Sequence, residues 1–272
     1  MRWLIAVFCL LFSSAHSALA QQPRRIVSLD YCADQFVLAL ADRGQIAALS
    51  RGARRDDSYY RDRAHGVPRT RGAFEDVLAL HPDLVVRTWG GPWDAERAYA
   101  RFGVTVVSVG DAQSFDAARA DIVKAAAAFG QQARGAALAA DLDRRLRALA
   151  VGRRHVDAPV LYLSAGGAVA GRGTMLDAAI QVAGGRNVRS EPGWSVLPLE
   201  RMVDMPPALI ALGFFDHGRE RMNAWSRTRH PVLRRALANA RTVTLPAASI
   251  ACDAWFAIDA AESIAAALHR DA

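Results

Sequence analysis

Residues 114–150 read SFDAARADIVKAAAAFGQQARGAALAADLDRRLRALA, and the rest of the chain is organised around this stretch. Ala, Leu, Arg and Gln, which favour helices, make up most of it. Apolar residues from Ile122 to Phe129 recur at helical spacing. The pattern predicts one long helix, or two helices end to end if Gly130 interrupts it.

Two similar segments flank the predicted helix. Residues 74–86, FEDVLALHPDLVV, precede it, and residues 199–211, LERMVDMPPALIA, follow it. Each has a glutamate, Glu75 or Glu200, at the start of a short amphipathic helix, which a proline ends before an apolar strand. A long helix between two related halves predicts two lobes with a cleft between them.

Strands and helices alternate in both halves of the chain, except in the polar segment 51–71, which is predicted to be a long loop. Such alternation is typical of α/β domains in which helices cover both faces of a parallel sheet. The sequence therefore predicts two Rossmann-like α/β lobes joined by one long α-helix, with the ligand cleft between the lobes. The predicted domains are a signal peptide at 1–20, an N-terminal lobe at 21–113, the connecting helix at 114–150 and a C-terminal lobe at 151–272.

Residues 1–20 have the composition of a cleaved signal peptide. Arg2 precedes the apolar segment 3–12, and Ala18-Leu19-Ala20 supplies the small residues of a cleavage site. No later stretch is long and apolar enough to span a bilayer. The mature chain, starting near Gln21, is therefore expected to be exported and soluble.

Composition argues against several functional classes. The chain has 34 Lys and Arg residues against 27 Asp and Glu, for a formal net charge of +7. Lys124 is the only lysine, and no basic run is interleaved with aromatic residues, so a nucleic-acid partner is not expected. The histidines are scattered without an H-x-x-x-H pair, so neither a directly bound metal nor a cofactor is predicted.

Common catalytic motifs are missing as well. Leu163-Ser164-Ala165-Gly166 lacks the first glycine of a serine nucleophile elbow, and no phosphate-binding G-x-x-x-x-G-K motif occurs. The chain is therefore not expected to be an enzyme. Two alternatives to a binding protein stay open, namely an exported α/β enzyme that uses Cys32 as its nucleophile and an interaction or sensor module without a small ligand.

Aromatic and charged residues follow the predicted strands, where ligands bind in open α/β sheets. Four of the five tryptophans beyond the signal peptide fall in these loops. One tryptophan alone could pack beneath its loop, but the group favours a cleft for a large, partly planar ligand whose carboxylate, phosphate or amide groups meet arginine and tyrosine. The candidate ligand-binding residues are Tyr31, Cys32, Arg54, Tyr59, Arg71, Trp89, Arg172, Trp194, Phe215, Asp253 and Trp255. The same loops hold Arg55, Tyr60, Thr88, Trp93, Phe214 and His217.

Two further pairs of residues have one member in each half of the chain. Cys32 and Cys252 could form a disulfide in an oxidising compartment, or could be two small buried residues. Each precedes a helix at the expected cleft face of its lobe, so a disulfide would tie the lobes together. Glu75 and Glu200 suit the positive ends of their helices. As a matched pair they would also offer two separated acidic contacts to a basic partner.

On these residues the chain resembles the periplasmic substrate-binding proteins of iron-siderophore and vitamin B12 ABC importers, the class III type with a helical backbone. The resemblance covers the whole mature chain and is clearest at 25–29, at 75–85, at the Gly184-Gly185-x-Asn187 turn and at the helix that Glu200 opens. It implies a periplasmic location and two lobes joined by one stiff helix, which move little on binding.

The resemblance also implies a ligand and partners. The ligand would be a bulky metal chelate, either a ferric siderophore or a cobalamin-type corrinoid, and Trp194 resembles a corrin-contacting tryptophan of the family. Glu75 and Glu200 would dock onto arginines of a permease dimer in the inner membrane, to which a monomeric receptor delivers its ligand. The basic segment 51–71 departs from the vitamin B12-binding members and suits an anionic ferric siderophore better, so the identity of the chelate stays open.

Overall fold

Two parallel β-sheets, one in each half of the chain, form the framework of the fold. The computed structural model describes residues 22–152, 157–196, 207–214, 231, 235, 237–238 and 240–269, and the signal peptide predicted at 1–20 lies outside them. None of the helices within these residues is both long and apolar enough to cross a bilayer. The two-lobed α/β fold that the sequence predicts is confirmed.

Across residues 22–113, five parallel strands build the N-terminal lobe in the order β3-β2-β1-β4-β5. Alternate residues of a strand point to opposite faces of a sheet. Ile26 therefore packs on one face with Phe36, whereas Val27 packs on the other with Tyr99. The strands are β1 (Ile26–Ser28), β2 (Ile46–Ser50), β3 (Arg69–Thr70), β4 (Leu84–Arg87) and β5 (Thr105–Ser108), and the helices are α1 (Tyr31–Leu40), α2 (Phe74–Leu78) and α3 (Ala95–Ala100).

Segment 51–71 is more ordered than the predicted loop. It contains two short 3-10 helices, Arg51–Arg54 and Arg61–Ala64, and ends in the edge strand β3. Only two residues of β3 pair with β2, so the strand is too short to produce an alternating pattern in the sequence. The prediction of a loop was wrong at this edge for that reason.

Segment 114–150 forms two helices, α4 (Phe115–Phe129) and α5 (Gln132–Gly152). Gly130 ends α4 in the left-handed conformation at φ 70°, which glycine adopts without steric cost. The Cβ of an alanine at Gly135 would lie 2.2 Å from the Ala126 Cβ, so the two helices approach closely. The prediction of one continuous helix over 114–150 was therefore wrong.

The two helices form an antiparallel hairpin. Near the turn, Gly135 lies against Ala126. Further from the turn, Arg119 of α4 and Asp143 of α5 form an ion pair at 3.2 Å. Only α5, about 30 Å long at 1.5 Å per residue, runs on towards the C-terminal lobe. The connection between the lobes is thus shorter than predicted, and α4 belongs to the N-terminal lobe.

Within the described residues, four parallel strands in the order β11-β10-β6-β8 build the C-terminal sheet, and β7 pairs with β9 in an antiparallel ribbon. Three of these strands, β7, β8 and β9, are only three residues long. Glycine in these segments weakens the pattern by which a strand is predicted from the sequence. At Gly185 the glycine leaves room for the neighbouring strand, because a Cβ there would lie 2.7 Å from Val160. The strands are β6 (Ala158–Ser164), β7 (Ala168–Ala170), β8 (Gly185–Asn187), β9 (Trp194–Val196), β10 (Leu209–Gly213) and β11 (Arg241–Leu245), and the helices are α6 (Met175–Val182), α7 (Ala247–Ile250) and α8 (Ile258–His269).

One hydrophobic core is continuous between the lobes. It includes Phe36 and Ile122 from the N-terminal lobe, and Met175 and Trp255 from the C-terminal half. The interface is extended by Arg145 of α5, which donates to both carboxylate oxygens of Glu262 in α8 at 2.8 and 2.6 Å and to Asp259 at 2.5 Å. These contacts oppose separation of the lobes, because opening them would expose apolar surface and unpair charges.

Candidate functional site

The carboxylate of Asp30 organises the carboxyl-terminal edge of the N-terminal sheet. Asp30 follows β1 and is only 2% exposed. Its Oδ1 accepts the N–H of Ala33 at 2.9 Å and so caps α1. Its Oδ2 accepts the N–H groups of Thr88, Trp89 and Gly90 at 2.8, 3.1 and 2.9 Å. One buried side chain therefore joins the loop after β1 to the loop after β4.

Tyr31, the next residue, is surrounded by polar and aromatic groups. The ring of Trp89 meets it edge-on with centroids 6.0 Å apart, and the Arg55 guanidinium lies 4.5 Å from its centroid. Asp57 pairs with Arg55 at 2.5 Å, so much of that cation's charge is already balanced. The Tyr31 hydroxyl donates to the Ala251 carbonyl at 3.2 Å. Burial raises the pKa of Tyr31, and Arg55 partly offsets this effect.

A disulfide bond joins Cys32 to Cys252, with the two Cα atoms 5.6 Å apart. Both residues are buried, and Cys252 lies in the segment that connects α7 to α8. The bond therefore fastens a connection of the C-terminal half to helix α1. It also removes the thiolate that a nucleophilic Cys32 would require, so the alternative of an enzyme using Cys32 loses its nucleophile.

Segments of both lobes meet beside the disulfide. The carbonyl of Asp253 accepts the N–H of Ala112 at 3.1 Å, and Gly173 faces the Gln113 side chain. Burial, together with the negative charge of Asp111, raises the pKa of Asp253 to about 6. The junction of the lobes thus carries one carboxylate from each side.

The C-terminal lobe places Trp194 in a setting that matches Trp89. Trp194 meets the buried Tyr162 edge-on, with centroids 5.7 Å apart and planes at 82°. The indoles of Trp194 and Trp89 are 52% and 59% exposed. A side chain at Gly213 would lie 2.2 Å from the Tyr162 hydroxyl, so glycine there makes room for the supporting ring.

The loop with Arg172 is fastened to the chain that leads into Trp194. The Arg172 N–H donates to the Glu191 carbonyl at 3.1 Å, and the Arg172 carbonyl accepts from Gly193 at 3.0 Å. The Arg172 side chain is exposed. Arg54 and Arg71, at strand ends of the N-terminal lobe, are exposed too. Among the residues that the structure describes, none of these three guanidinium groups has an ion-pair partner.

Two predicted ligand-binding residues belong instead to the interface between the lobes. Trp255 is 4% exposed and packs against Phe36 with centroids 4.8 Å apart. Tyr59 stacks on Phe256 at 4.5 Å, and its hydroxyl donates to Asp259 at 2.8 Å. The prediction that Trp255 lines the cleft was wrong, because its ring is buried in the core between the lobes. For the half-buried Tyr59 these contacts favour a role at the interface, and its place in the cleft stays a prediction.

Glu75 lies exposed in the first turn of α2. The preceding Phe74 packs on the buried Tyr99 with centroids 4.8 Å apart, which fixes α2 against α3. Burial, followed by the nearby charge of Glu75, raises the pKa of Tyr99 to about 12. The other predicted docking residue, Glu200, and the predicted ligand-binding Phe215 lie outside the described residues.

Two residues of the site were not among the predicted site residues. Asp30 has a signal in the sequence only as a helix cap, because nothing local indicates that it also binds the loop after β4. Tyr162 is part of an apolar strand pattern that conceals its role as support for Trp194. In the described ranges, no group of three or more His, Cys, Asp or Glu side chains could hold a metal ion directly.

A cavity of about 330 Å³ opens at the opposite edge of the N-terminal sheet. Its lining includes Arg24, Asp83, Leu84 and Thr105, which lie at or near the amino-terminal starts of β1, β4 and β5. Ligands of parallel α/β sheets bind at the carboxyl ends of the strands. The candidate site is therefore the edge with Tyr31 and Trp89 and not this cavity.

Known proteins share this fold over nearly the whole chain. The periplasmic haem-binding protein RhuT from Roseiflexus sp. RS-1 is 23% identical, with a TM-score of 0.70 over 90% of this chain and 98% of that one. The periplasmic vitamin B12-binding protein BtuF of Vibrio cholerae is 20% identical, with a TM-score of 0.69 over 90% and 96% of the two chains. At these identities the likeness establishes the fold alone.

Sequence comparison gives the family. A cobalamin-binding protein of Halobacterium salinarum is 27% identical over 209 residues, which are 74% of this chain and 57% of that protein. The chain thus matches little more than half the length of this relative. The family model described as periplasmic binding protein matches residues 26–215. This match includes the N-terminal sheet, the α4–α5 hairpin and strands β6 to β10. The chain belongs to the periplasmic binding protein family.

Proposed function

We propose that this chain is a periplasmic receptor that captures a bulky metal chelate between its lobes and delivers it to an ABC importer in the inner membrane. The observation that carries the proposal is the matched pair of indoles, Trp89 supported by Tyr31 and Trp194 supported by Tyr162. Each lobe thus offers one half-exposed tryptophan that a buried or half-buried tyrosine holds in place.

Binding of a flat apolar ligand would explain why both lobes leave a tryptophan ring exposed. Exposed indoles leave large apolar surfaces in water, and a ligand that covers them gains the hydrophobic free energy of both. The tyrosines orient the rings beforehand, so little side-chain entropy is lost on binding. Related proteins named for haem, cobalamin and Fe³⁺-hydroxamate transport all act on metal chelates, which supports the same ligand class here.

Charge at the site suits acidic or amide groups at the edge of the ligand. The guanidinium groups of Arg54, Arg71 and Arg172 lie near strand ends of the two lobes, and no described carboxylate pairs with them. They would bind carboxylate, hydroxamate or amide oxygens through charge-assisted hydrogen bonds. A ferric siderophore and a corrinoid both fit this description, and neither needs a protein side chain as metal ligand.

The receptor would bind its ligand with little closure of the lobes. The continuous core at Phe36 and Trp255, the ion pairs of Arg145 and the Cys32–Cys252 bond all cross between the two halves. A preformed cleft reduces the ordering cost of binding. No residue of the candidate site is arranged as a nucleophile with a neighbouring base among the described residues, which favours a receptor over an enzyme.

Direct titration tests the ligand class. Tryptophan fluorescence of the mature chain would be followed with cobalamin, dicyanocobinamide, haemin and ferrichrome. We expect at least one to bind with a Kd below about 10 μM, which corresponds to roughly −7 kcal/mol. Trp89→Ala and Trp194→Ala should each weaken that binding about tenfold. Phe102→Ala, which removes an exposed aromatic ring just after α3, should not. Absence of binding by all four would contradict the proposal.

Docking requires a separate test, because Glu75 and Glu200 are proposed to bind permease arginines and not the ligand. Glu75→Arg together with Glu200→Arg should abolish chelate-dependent growth of the source cells while leaving the Kd for the chelate unchanged. Asp76→Arg, which reverses an exposed charge beside Glu75, is the matched control. A loss of chelate affinity in the double variant would instead place these glutamates in ligand binding.

A further inference from the structure

We propose that the disulfide between Cys32 and Cys252 is a redox-sensitive switch of ligand affinity, which keeps the cleft preformed while it is oxidised and loosens one wall of the cleft when a dithiol reduces it. The inference rests on the proposed function and adds a means of regulating it. Three features carry it, namely the position of the bond beside two residues of the site, its redundancy for joining the lobes, and the irregular chain around Cys252.

The bond lies one residue from the candidate site on each side. Cys32 directly follows Tyr31 at the start of α1, and Cys252 directly precedes Asp253. Tyr31 contacts the exposed ring of Trp89, with centroids 6.0 Å apart. Because a rigid peptide unit joins neighbouring residues, a shift in the backbone of either cysteine moves a site residue with it. The state of the bond therefore acts directly on the geometry of the site.

The lobes do not depend on the disulfide to stay together. Trp255 packs on Phe36 across the interface with centroids 4.8 Å apart. Arg145 of α5 forms ion pairs with Asp259 and Glu262 of α8. These contacts bury apolar surface and pair charges whether or not the bond is present. Reduction should therefore leave the two-lobed fold in place and act only near the bond.

The chain around Cys252 is irregular. Residues 251–254 follow α7 and belong to no helix or strand. Apart from the disulfide, hydrogen bonds from the Tyr31 hydroxyl at 3.2 Å and from the Ala112 N–H at 3.1 Å fasten carbonyls of this segment to the N-terminal lobe. A segment without the hydrogen bonds of a helix or sheet shifts more readily than the elements beside it. Loss of the covalent bond therefore gives Asp253 room to move.

Reduction of the bond is a two-electron exchange with a dithiol. One thiolate of the dithiol attacks a sulfur of the bond, forms a mixed disulfide and releases the other cysteine as a thiolate. The second thiol of the reductant then attacks the mixed disulfide and releases the first cysteine. The dithiol ends as a disulfide, and Cys32 and Cys252 end as thiols that carry the two protons it has lost. Because both cysteines are buried, the exchange should require local opening of the site.

Loss of the bond should weaken binding because the site is no longer preorganised. In the oxidised chain Tyr31 is held beside the bond and supports Trp89 before the ligand arrives. After reduction the ligand must order both side chains as it binds, which corresponds to a Kd about tenfold higher. The coupling is reciprocal, so a bound ligand must favour the disulfide over the two thiols by the same factor.

Titration of variants that lack the bond tests the inference. Tryptophan fluorescence would follow binding of cobalamin, dicyanocobinamide, haemin and ferrichrome to the oxidised wild type, to Cys32→Ser, to Cys252→Ser and to the double variant. For a probe that binds the wild type, we expect binding about tenfold weaker in all three variants and equal among them. Sucrose in every sample favours the folded state of the variants, and circular dichroism verifies that they are folded.

Two comparisons isolate the role of the bond. Cys252→Ser breaks the disulfide but keeps the thiol of Cys32, a predicted ligand-binding residue. Weaker binding in Cys32→Ser alone would show a direct contact of Cys32 with the ligand and would overturn the switch. Gly135→Ala, which brings a methyl group against Ala126 in the α4–α5 hairpin, is the control for general destabilisation and should leave the Kd unchanged. Equal weakening in this control would show that instability alone explains the effect.

The reciprocal effect provides a second measurement. The wild type would be equilibrated with mixtures of reduced and oxidised dithiothreitol, with and without the probe that it binds, and intact mass after alkylation would give the fraction of disulfide. We expect the probe to shift the midpoint towards the disulfide by about the same tenfold factor. A midpoint that the probe does not move would overturn the inference, as would a bond that no mixture reduces in the folded protein.

The outcomes separate the two proposals. If a probe binds the wild type and the variants without the bond equally well, the receptor function stands and only the switch fails. If none of the four probes binds the wild type, the proposed function fails and the switch fails with it.

Discussion

Cys32 and Cys252, 220 positions apart in the sequence, are bonded to each other with their Cα atoms 5.6 Å apart. The residues on either side of this bond, Tyr31 and Asp253, belong to the candidate site. The same bond therefore stabilises the fold and holds the backbone of the candidate site together at Tyr31 and Asp253.

Removal of this bond should lower stability considerably. Chain-entropy arguments give about 5 kcal/mol for a loop of this length, and removal of a native disulfide typically costs about 2–5 kcal/mol. We expect the Cys32→Ser/Cys252→Ser double variant to lose stability within that range in urea unfolding at neutral pH. Each single variant should lose a similar amount, since either one abolishes the bond. Intact mass after alkylation, with and without reductant, verifies the bond, and a wild type that is fully alkylated without reductant would contradict it.

The close approach of α4 and α5 reverses the usual effect of alanine at Gly135. Gly→Ala inside a helix normally stabilises by about 0.5–1 kcal/mol. At Gly135 the new methyl would lie 2.2 Å from the Ala126 Cβ, and such overpacking costs about 1–3 kcal/mol. Gly135→Ala should therefore destabilise the protein in urea unfolding. Gly152→Ala, in the same helix with nothing within 4 Å, is the control and should be neutral or stabilising. Equal effects at both positions would argue against the hairpin.

The carboxyl of Asp253 should make stability depend on pH. Its pKa in the folded protein is about 6, above the value of about 3.9 for an unperturbed Asp. The folded state thus holds the proton more tightly than the unfolded chain, so this group lowers stability as the pH rises from about 4 to about 6 and has no further effect above that. Asp253→Asn should remove this decline, and its stability relative to the wild type should grow over the same window.

A second variant tests the cause of that shift. Asp111 adds negative charge near Asp253, so Asp111→Asn should lower the pKa of Asp253, which makes the decline smaller and ends it at a lower pH. Urea unfolding at intervals from pH 4 to pH 8 gives the three curves. Parallel curves for the wild type and Asp253→Asn would mean that the carboxyl does not titrate differently on folding.

Tyr59 should matter for stability and not for ligand binding. Its hydroxyl donates to Asp259 in α8, and loss of one such bond costs about 0.5–1.5 kcal/mol, or more because the acceptor is charged. Tyr59→Phe keeps the stacking on Phe256 and removes only the hydrogen bond. We expect a lower thermal midpoint with an unchanged Kd for the chelate. Weaker chelate binding at unchanged stability would instead show that Tyr59 contacts the ligand in the cleft.

Local patterns in the sequence were sufficient for the architecture. Apolar strands followed by amphipathic helices predicted both lobes, because hydrophobic periodicity and caps such as Asp30 act within a few residues. The rule that ligands bind at the carboxyl ends of parallel strands also predicted Tyr31, Trp89, Trp194 and Asp253 as site residues. The structure places these residues at strand ends, in the β7–β9 ribbon or where the lobes meet.

Only the tertiary structure decided the features that depend on distant contacts. Gly130 was visible as a weak point, but whether α5 continues or folds back depends on the fit of Gly135 against Ala126. Trp89 and Trp255 were both predicted to lie in strand-end loops, yet one is exposed and the other buried, because only Trp255 packs against Phe36 in the core of the opposite lobe. The pairing of Cys32 with Cys252 has the same origin, since no short-range pattern specifies a partner 220 residues away.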